Sequence, residues 1–372
     1  MRRILILLWG LTGLIFPLSA QHTHYVDPFI GTAGMGHTFP GACVPFGGVQ
    51  LSPDTDMIPH NIGGEYQPRT YEYCAGYQYG DSTIVGFSHT HFSGTGHSDL
   101  GDILLMPGMG EVQFVPGTAE DPDSGYRQRF SHDTESAGAG HYVVVLADTG
   151  IKAELTATQR VGVHRYTFPR GEEGHVVLDL DYGIYHYDGK TLWAEVRVVS
   201  PTLVTGYRIT NGWARTNYTY FAMAFSQPIL KYGWKDRAPS PYNGGYGKFP
   251  QYADFPEMAG RKVVAWFRFD TAGDPELTVK VGLSATGTTG ALKNLRAEAE
   301  GKSFDQLRRE AEAAWEKELS CIDMGTSPAT ISRTCMPGPR NPGRRSTGSG
   351  RSWTVSIGRK SAASAGMTIA AR

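Results

Sequence analysis

The sequence of 372 residues predicts a mainly β chain, a large antiparallel β-sandwich followed by one helix. Short runs of β-branched and aromatic residues recur through its middle, with Gly, Pro, Asp and Asn between them and no helical periodicity intervening. The composition agrees: 47 Gly, 19 Tyr and 16 Phe, with 40% hydrophobic and 19% charged residues, suit a turn-rich β protein and exclude wholesale disorder. The length exceeds one typical domain, but a single large sandwich with appendages accommodates it.

From the start of the chain, Arg2 and Arg3, the apolar residues 4–16 and the small-residue end at Ser19 and Ala20 read as a secretory signal over residues 1–20. The apolar stretch is too short to span a bilayer, which takes about 20 residues, so no membrane span is expected. The expected location is secreted or periplasmic, in a bacterium. Cys43, Cys74, Cys321 and Cys335 form neither a dense disulfide framework nor paired metal spacing. A net charge of −1 gives no argument for a nucleic-acid partner.

Residues 142–146, 153–158, 163–168 and 175–180 read as strands, and the pattern continues at 218–225, 262–269 and 277–284. A β domain over residues 21–300 follows. Ser303 with Gln306 then reads as a capping box, and Phe304, Leu307, Ala311, Trp315 and Leu319 share one helical face. This helix, over 301–323, suits a connector to a further domain or a cover for a sheet edge. Residues 324–372 carry eight Lys or Arg and no Asp or Glu, with no apolar periodicity. A low-order tail, genuine or frame-shifted, is expected there.

The densest chemistry lies at 76–102, where His89, His91 and His97 accompany Asp81, Asp99 and Asp102. If residues 87–92 are extended, His89 and His91 share a face. Three readings stand side by side: a transition-metal site, histidines hydrogen-bonded within a Gly-rich loop, and polar recognition of a ligand. Sugar recognition has a physical logic, since hydroxyls need clustered donors and acceptors and aromatic rings cover sugar faces; Tyr71, Tyr73, Tyr77 and Tyr79 are close in sequence. The glycines at 31, 34 and 36 lack the following helix of a phosphate loop, so a tight turn with aromatic packing is the better reading.

The runs YVDPFIGT at 25–32, GHTFPG at 36–41, VPFG at 44–47, QLSPDT at 50–55 and GFSHTHFSGTG at 86–96 resemble, in order, the N-terminal domain of glycoside hydrolase family 92. ELTAT at 154–158 and HRYTFP at 164–169 agree, and the resemblance runs from about 25 to about 322. It implies a calcium-dependent, inverting exo-α-mannosidase acting on mannose-containing glycans, with an N-terminal sandwich and a C-terminal (α/α) barrel. In an inverting enzyme one carboxyl protonates the leaving oxygen and a second, roughly 6.5–9.5 Å away, activates water. The family places those carboxylates and most calcium ligands in the barrel, so no catalytic or metal-binding residue is expected here. Tyr71, Cys74, His89, His91 and Asp99 are the candidates for sugar contact or pocket shaping. Tyr71 stands where the family often has Trp, a change in ring size at the leaving-group side. A standalone, non-catalytic carbohydrate-binding module is the alternative function, and a complete His-rich metalloenzyme a third.

Overall fold

A computed structural model describes residues 22–171, 173–238 and 255–321. The signal reading at 1–20 and the tail at 324–372 lie outside them. Two antiparallel sheets dominate. The first has seven strands in the order Ala42–Cys43, Gln50–Asp54, Gly86–Ser88, Leu104–Met109, Gly174–Asp179, Val263–Phe269 and Lys231–Asp236. The second has nine, in the order Glu257–Gly260, Thr191–Ser200, Leu203–Thr210, Asn217–Phe225, Glu276–Ser284, Val161–Thr167, Lys152–Ala157, His141–Val145 and Ser136–Gly138. The expected runs appear as strands shifted by a residue or two, the ordinary uncertainty of strand ends.

Leu51, Phe87, Leu105, Val176 and Phe267 from the first sheet and Tyr142, Leu155, Val204, Phe221 and Val279 from the second belong to one buried cluster. Each side chain of this size contributes about 1.5–3 kcal/mol on burial. The strand Leu203–Thr210 alternates half-buried and buried positions, as a sheet with one face on the core must. Its inward positions include Arg208, fully buried beside Asp102.

Two helices close part of the outer face of the nine-stranded sheet. Helix α2, Phe304–Leu319, starts where Ser303 Oγ accepts the Gln306 N–H at 3.2 Å. It buries Phe304 and Leu307 on Val161 and Val163, and the Trp315 indole N–H donates to the Cys43 carbonyl at 2.6 Å. Helix α1, Thr288–Ala299, was not expected from the sequence pattern. It begins at Gly287 without a side-chain cap and opens on two β-branched threonines, so its start signal is absent. Packing holds it: Ala291 and Leu295 lie on Ala222, and a Cβ at Gly282 would stand 2.6 Å from the Ala291 carbonyl oxygen. Among the described residues no helix is long and apolar enough to cross a membrane.

Candidate functional site

Three segments converge beside one end of the sheets. The first is the 3-10 turn Pro68–Tyr73, in which proline at the first position presets the backbone. Thr70 donates to the Ile58 carbonyl at 2.7 Å, and the Tyr73 hydroxyl donates to the Asp81 carboxylate at 3.0 Å. These bonds bury Thr70 and Tyr73 and leave Tyr71 half-buried, its ring 5.3 Å from that of His60. Cys74 closes the turn, buried, with its thiol pushed up by burial and drawn back by a hydrogen bond with Ser98.

The second segment is the loop 97–103. Leu100 and Ile103 have φ of 74° and 58°, a left-handed conformation that costs a branched or bulky side chain of order 1–3 kcal/mol. Asp102 holds the loop there. It accepts from the Thr90 hydroxyl at 2.8 Å and lies 3.2 Å from the Arg208 guanidinium, while its carbonyl takes the His89 N–H. The neighbouring Asp99 turns outward, paired with the buried Lys190 ammonium and accepting the Trp213 N–H at 2.8 Å.

The third segment, 182–190, supplies rings. Tyr185 packs edge-on against His60 with centroids 4.4 Å apart, and Tyr187 donates to the Asn211 carbonyl at 2.9 Å. Burial and the neighbouring His97 both hold the His60 imidazole below its ordinary value, so it is neutral at pH 7. Between the second and third segments and the 211–216 loop lies a pocket of about 340 Å³, lined by His97, Asp99, Tyr185, Tyr187 and Trp213. Rings on the walls and a carboxylate acceptor fixed by the buried Lys190 ammonium make a surface suited to a polyhydroxylated ligand. Among the described residues Asp99 is the only carboxylate lining it, so these residues supply no pair of carboxyl groups. A separate pocket of about 270 Å³ is lined by Asp181, Tyr182, His186, Arg237 and Lys262.

Of the five candidate residues, Asp99 lines the pocket, Tyr71 joins its wall through His60, and Cys74 reaches it through Ser98. His89 and His91 do not reach it. The strand ends at Ser88, so the shared-face geometry is absent, and each imidazole is buried on its own protein partners. His89 Nδ1–H donates to the Ile103 carbonyl at 2.6 Å, which leaves Nε2 to accept from His164 Nε2–H at 3.1 Å, and His164 Nδ1 in turn accepts from the Tyr166 hydroxyl at 2.8 Å. This one-way chain requires two neutral imidazoles, and burial lowers His89 to about 4 and His164 well below its ordinary value. His91 Nδ1–H donates to the Gln50 carbonyl at 2.7 Å and Nε2 meets Asp54 at 3.0 Å. His89 thus pins the loop that carries Asp99 and Asp102, and His91 ties its own segment to the strand Gln50–Asp54. Among the described residues, no group of three or more His, Cys, Asp or Glu is placed to hold a metal ion. His89, His91 and His97 diverge to separate partners, so these three do not form a transition-metal site.

His60, Tyr185, Tyr187, Lys190 and Trp213 were not anticipated. The run YGIYHYDGK at 182–190 was the available signal, with two tyrosines and a histidine between glycines.

The family model for the glycosyl hydrolase family 92 N-terminal domain matches residues 25–284. The chain belongs to glycosyl hydrolase family 92. The family 92 fold recurs in an α-mannosidase of Bacteroides thetaiotaomicron solved with mannoimidazole, 40% identical with a TM-score of 0.70 over 81% of this chain and 37% of that one. Its structure without that ligand gives 38% identity and a TM-score of 0.72 over 82% of this chain and 39% of that one. An uncharacterized secreted glycosidase of Arthroderma benhamiae is 27% identical over 84% of this chain and 40% of its own length. The chain thus spans about two fifths of the relatives it matches.

Proposed function

We propose that this chain is the sugar-pocket half of a secreted α-mannosidase that removes terminal α-linked mannose from glycans. The observation that carries the reading is the 40% identity, over most of the chain, with a family 92 α-mannosidase solved with mannoimidazole. The aromatic and polar pocket around Asp99 supports it independently, because its chemistry suits a sugar.

In this reading the domain spans 21–300 and binds and orients. Asp99, fixed by Lys190 and the Trp213 N–H, accepts from a sugar hydroxyl; Tyr185 and Tyr187 exclude water from one side; Tyr71 and Trp213 shape the leaving-group side. The segment 301–323, with α2, acts as the connector to a catalytic (α/α) barrel whose carboxylates complete the inverting pair. Calcium enters as a hard ion for mannose hydroxyls held by residues outside those described, and no step in this chain is routed through it.

The test is mannose release from α-mannosides by the full product of the gene, with and without a calcium chelator. Mannose of inverted anomeric configuration, lost on chelation, is expected. Release of another sugar, or none, would refute the reading and leave the binding-module alternative.

A further inference from the structure

The helices cover only part of the nine-stranded sheet. α1 and α2 close its outer face over Ala222, Val161 and Val163, whereas Tyr218, at the start of Ala222's own strand, and Trp193, two strands away, are 44% and 42% exposed. Alternation fixes which residues stand on this open face. Val204, Arg208 and Thr210 point into the core, so Tyr207 and Ile209 point out. The register then lines Trp193, Ile209 and Tyr218 in one row across three strands, and Glu195, Tyr207 and Tyr220 in the next. The rings of Tyr218 and Tyr220 are nearly parallel, 8° apart with centroids at 6.0 Å, and Tyr207 packs 5.5 Å from Tyr220. A solvated sheet face ordinarily alternates to polar side chains, and this one carries an aromatic ledge instead.

We propose that this ledge is a second carbohydrate-binding surface, taking an extended neutral glycan chain that lies across the strands. The ring chemistry selects the occupant. Pyranose rings present C–H faces that pack on flat π-systems and hydroxyl edges that bond to tyrosine hydroxyls and to Glu195. The flanking Arg197 and Glu257 neutralise each other at 3.0 Å, and the carboxylate of Glu195 within the ledge disfavours an anionic polymer. Position points the same way. The ledge strands Leu203–Thr210 and Asn217–Phe225 are joined by the 211–216 loop that carries Trp213 of the pocket, and the Ile209–Tyr218 pair lies one residue pair from that loop. A glycan leaving the pocket over Trp213 passes directly onto Trp193 and Tyr218. The surface adds to the pocket reading and fails separately from it.

Affinity electrophoresis of the full chain through gels containing soluble α-mannan tests it, with excess methyl α-mannoside present to occupy the pocket. Retardation should persist in that excess, and Tyr218→Ala with Tyr220→Ala should weaken it roughly five-fold or more, with far-UV circular dichroism unchanged. Should the double variant fail to fold, hydroxyl-radical footprinting of the unmodified chain takes its place, with mannan protecting Tyr218 and Tyr220. Retardation abolished by methyl α-mannoside, unaffected by the folded double variant, or without protection at those tyrosines overturns the proposal. So does a concentration-dependent dimer in sedimentation that the double variant abolishes.

Discussion

Mild acid should destabilise this domain before most of its carboxylates protonate. His89 and His175 are buried as neutral imidazoles, each held by burial to about 4, whereas in the unfolded chain they titrate near 6.5. Below pH 6.5 the unfolded state takes up protons that the fold refuses, so stability is full above that pH and is lost as pH falls toward 4. Each such histidine costs about 1.4 kcal/mol per pH unit in this window, or about 2 kcal/mol between pH 6.5 and 5. The two together cost about 4 kcal/mol, a large share of the 5–15 kcal/mol that holds a typical domain. His141 and His164, also lowered by burial, add in the same direction. Asp81 and Asp181, raised by burial, oppose them, because the fold takes up their protons first as pH falls. The assay is urea denaturation followed by tryptophan fluorescence at constant ionic strength from pH 7.5 to 5. His175→Gln should shrink the loss between pH 6.5 and 5 by about 2 kcal/mol. Stability flat to within about 1 kcal/mol over that range, or an unchanged slope in His175→Gln, would refute the reasoning.

Other expectations follow from single contacts. Arg208→Met strips the buried Asp102 of its cation and should cost about 3–5 kcal/mol in chemical denaturation. Gly162→Ala drives a Cβ to 2.5 Å from the His89 ring and should cost about 1–3 kcal/mol, read as a lowered Tm. Trp315→Phe removes the bond to the Cys43 carbonyl while keeping a ring, and about 1 kcal/mol should be lost, with increased amide exchange in α2.

The sandwich was legible because its central strands carry β-branched and aromatic runs, as at His141–Val145 and Gly174–Asp179. Gln50–Asp54 and Leu104–Met109 were missed: Pro53 and Pro107 interrupt them, although both strands lie inside the seven-stranded sheet. Leu203–Thr210 was missed because its inward face includes Arg208, which a hydrophobic alternation assigns to solvent. Helix α2 announced itself through Ser303, whereas α1 depends on tertiary packing against Ala222. At the site, Tyr71, Cys74 and Asp99 were named on the family resemblance and lie close together in the sequence. Tyr185, Lys190 and Trp213 come from about a hundred residues away, and only the folded chain brings them to Asp99. The HxH spacing at 89–91 misled because the strand stops at Ser88 and burial, not ligation, claims both rings.

The claim that this chain builds one wall of a mannoside pocket is tested most directly by the steady-state kinetics of Trp213→Ala in the full gene product. Trp213 is 52% exposed and lines the pocket, so the fold should survive its loss. The account predicts a KM for α-mannoside raised roughly five-fold or more, with kcat within about two-fold, because a binding contact is lost while the reacting groups are untouched. An unchanged KM in the folded variant would contradict it.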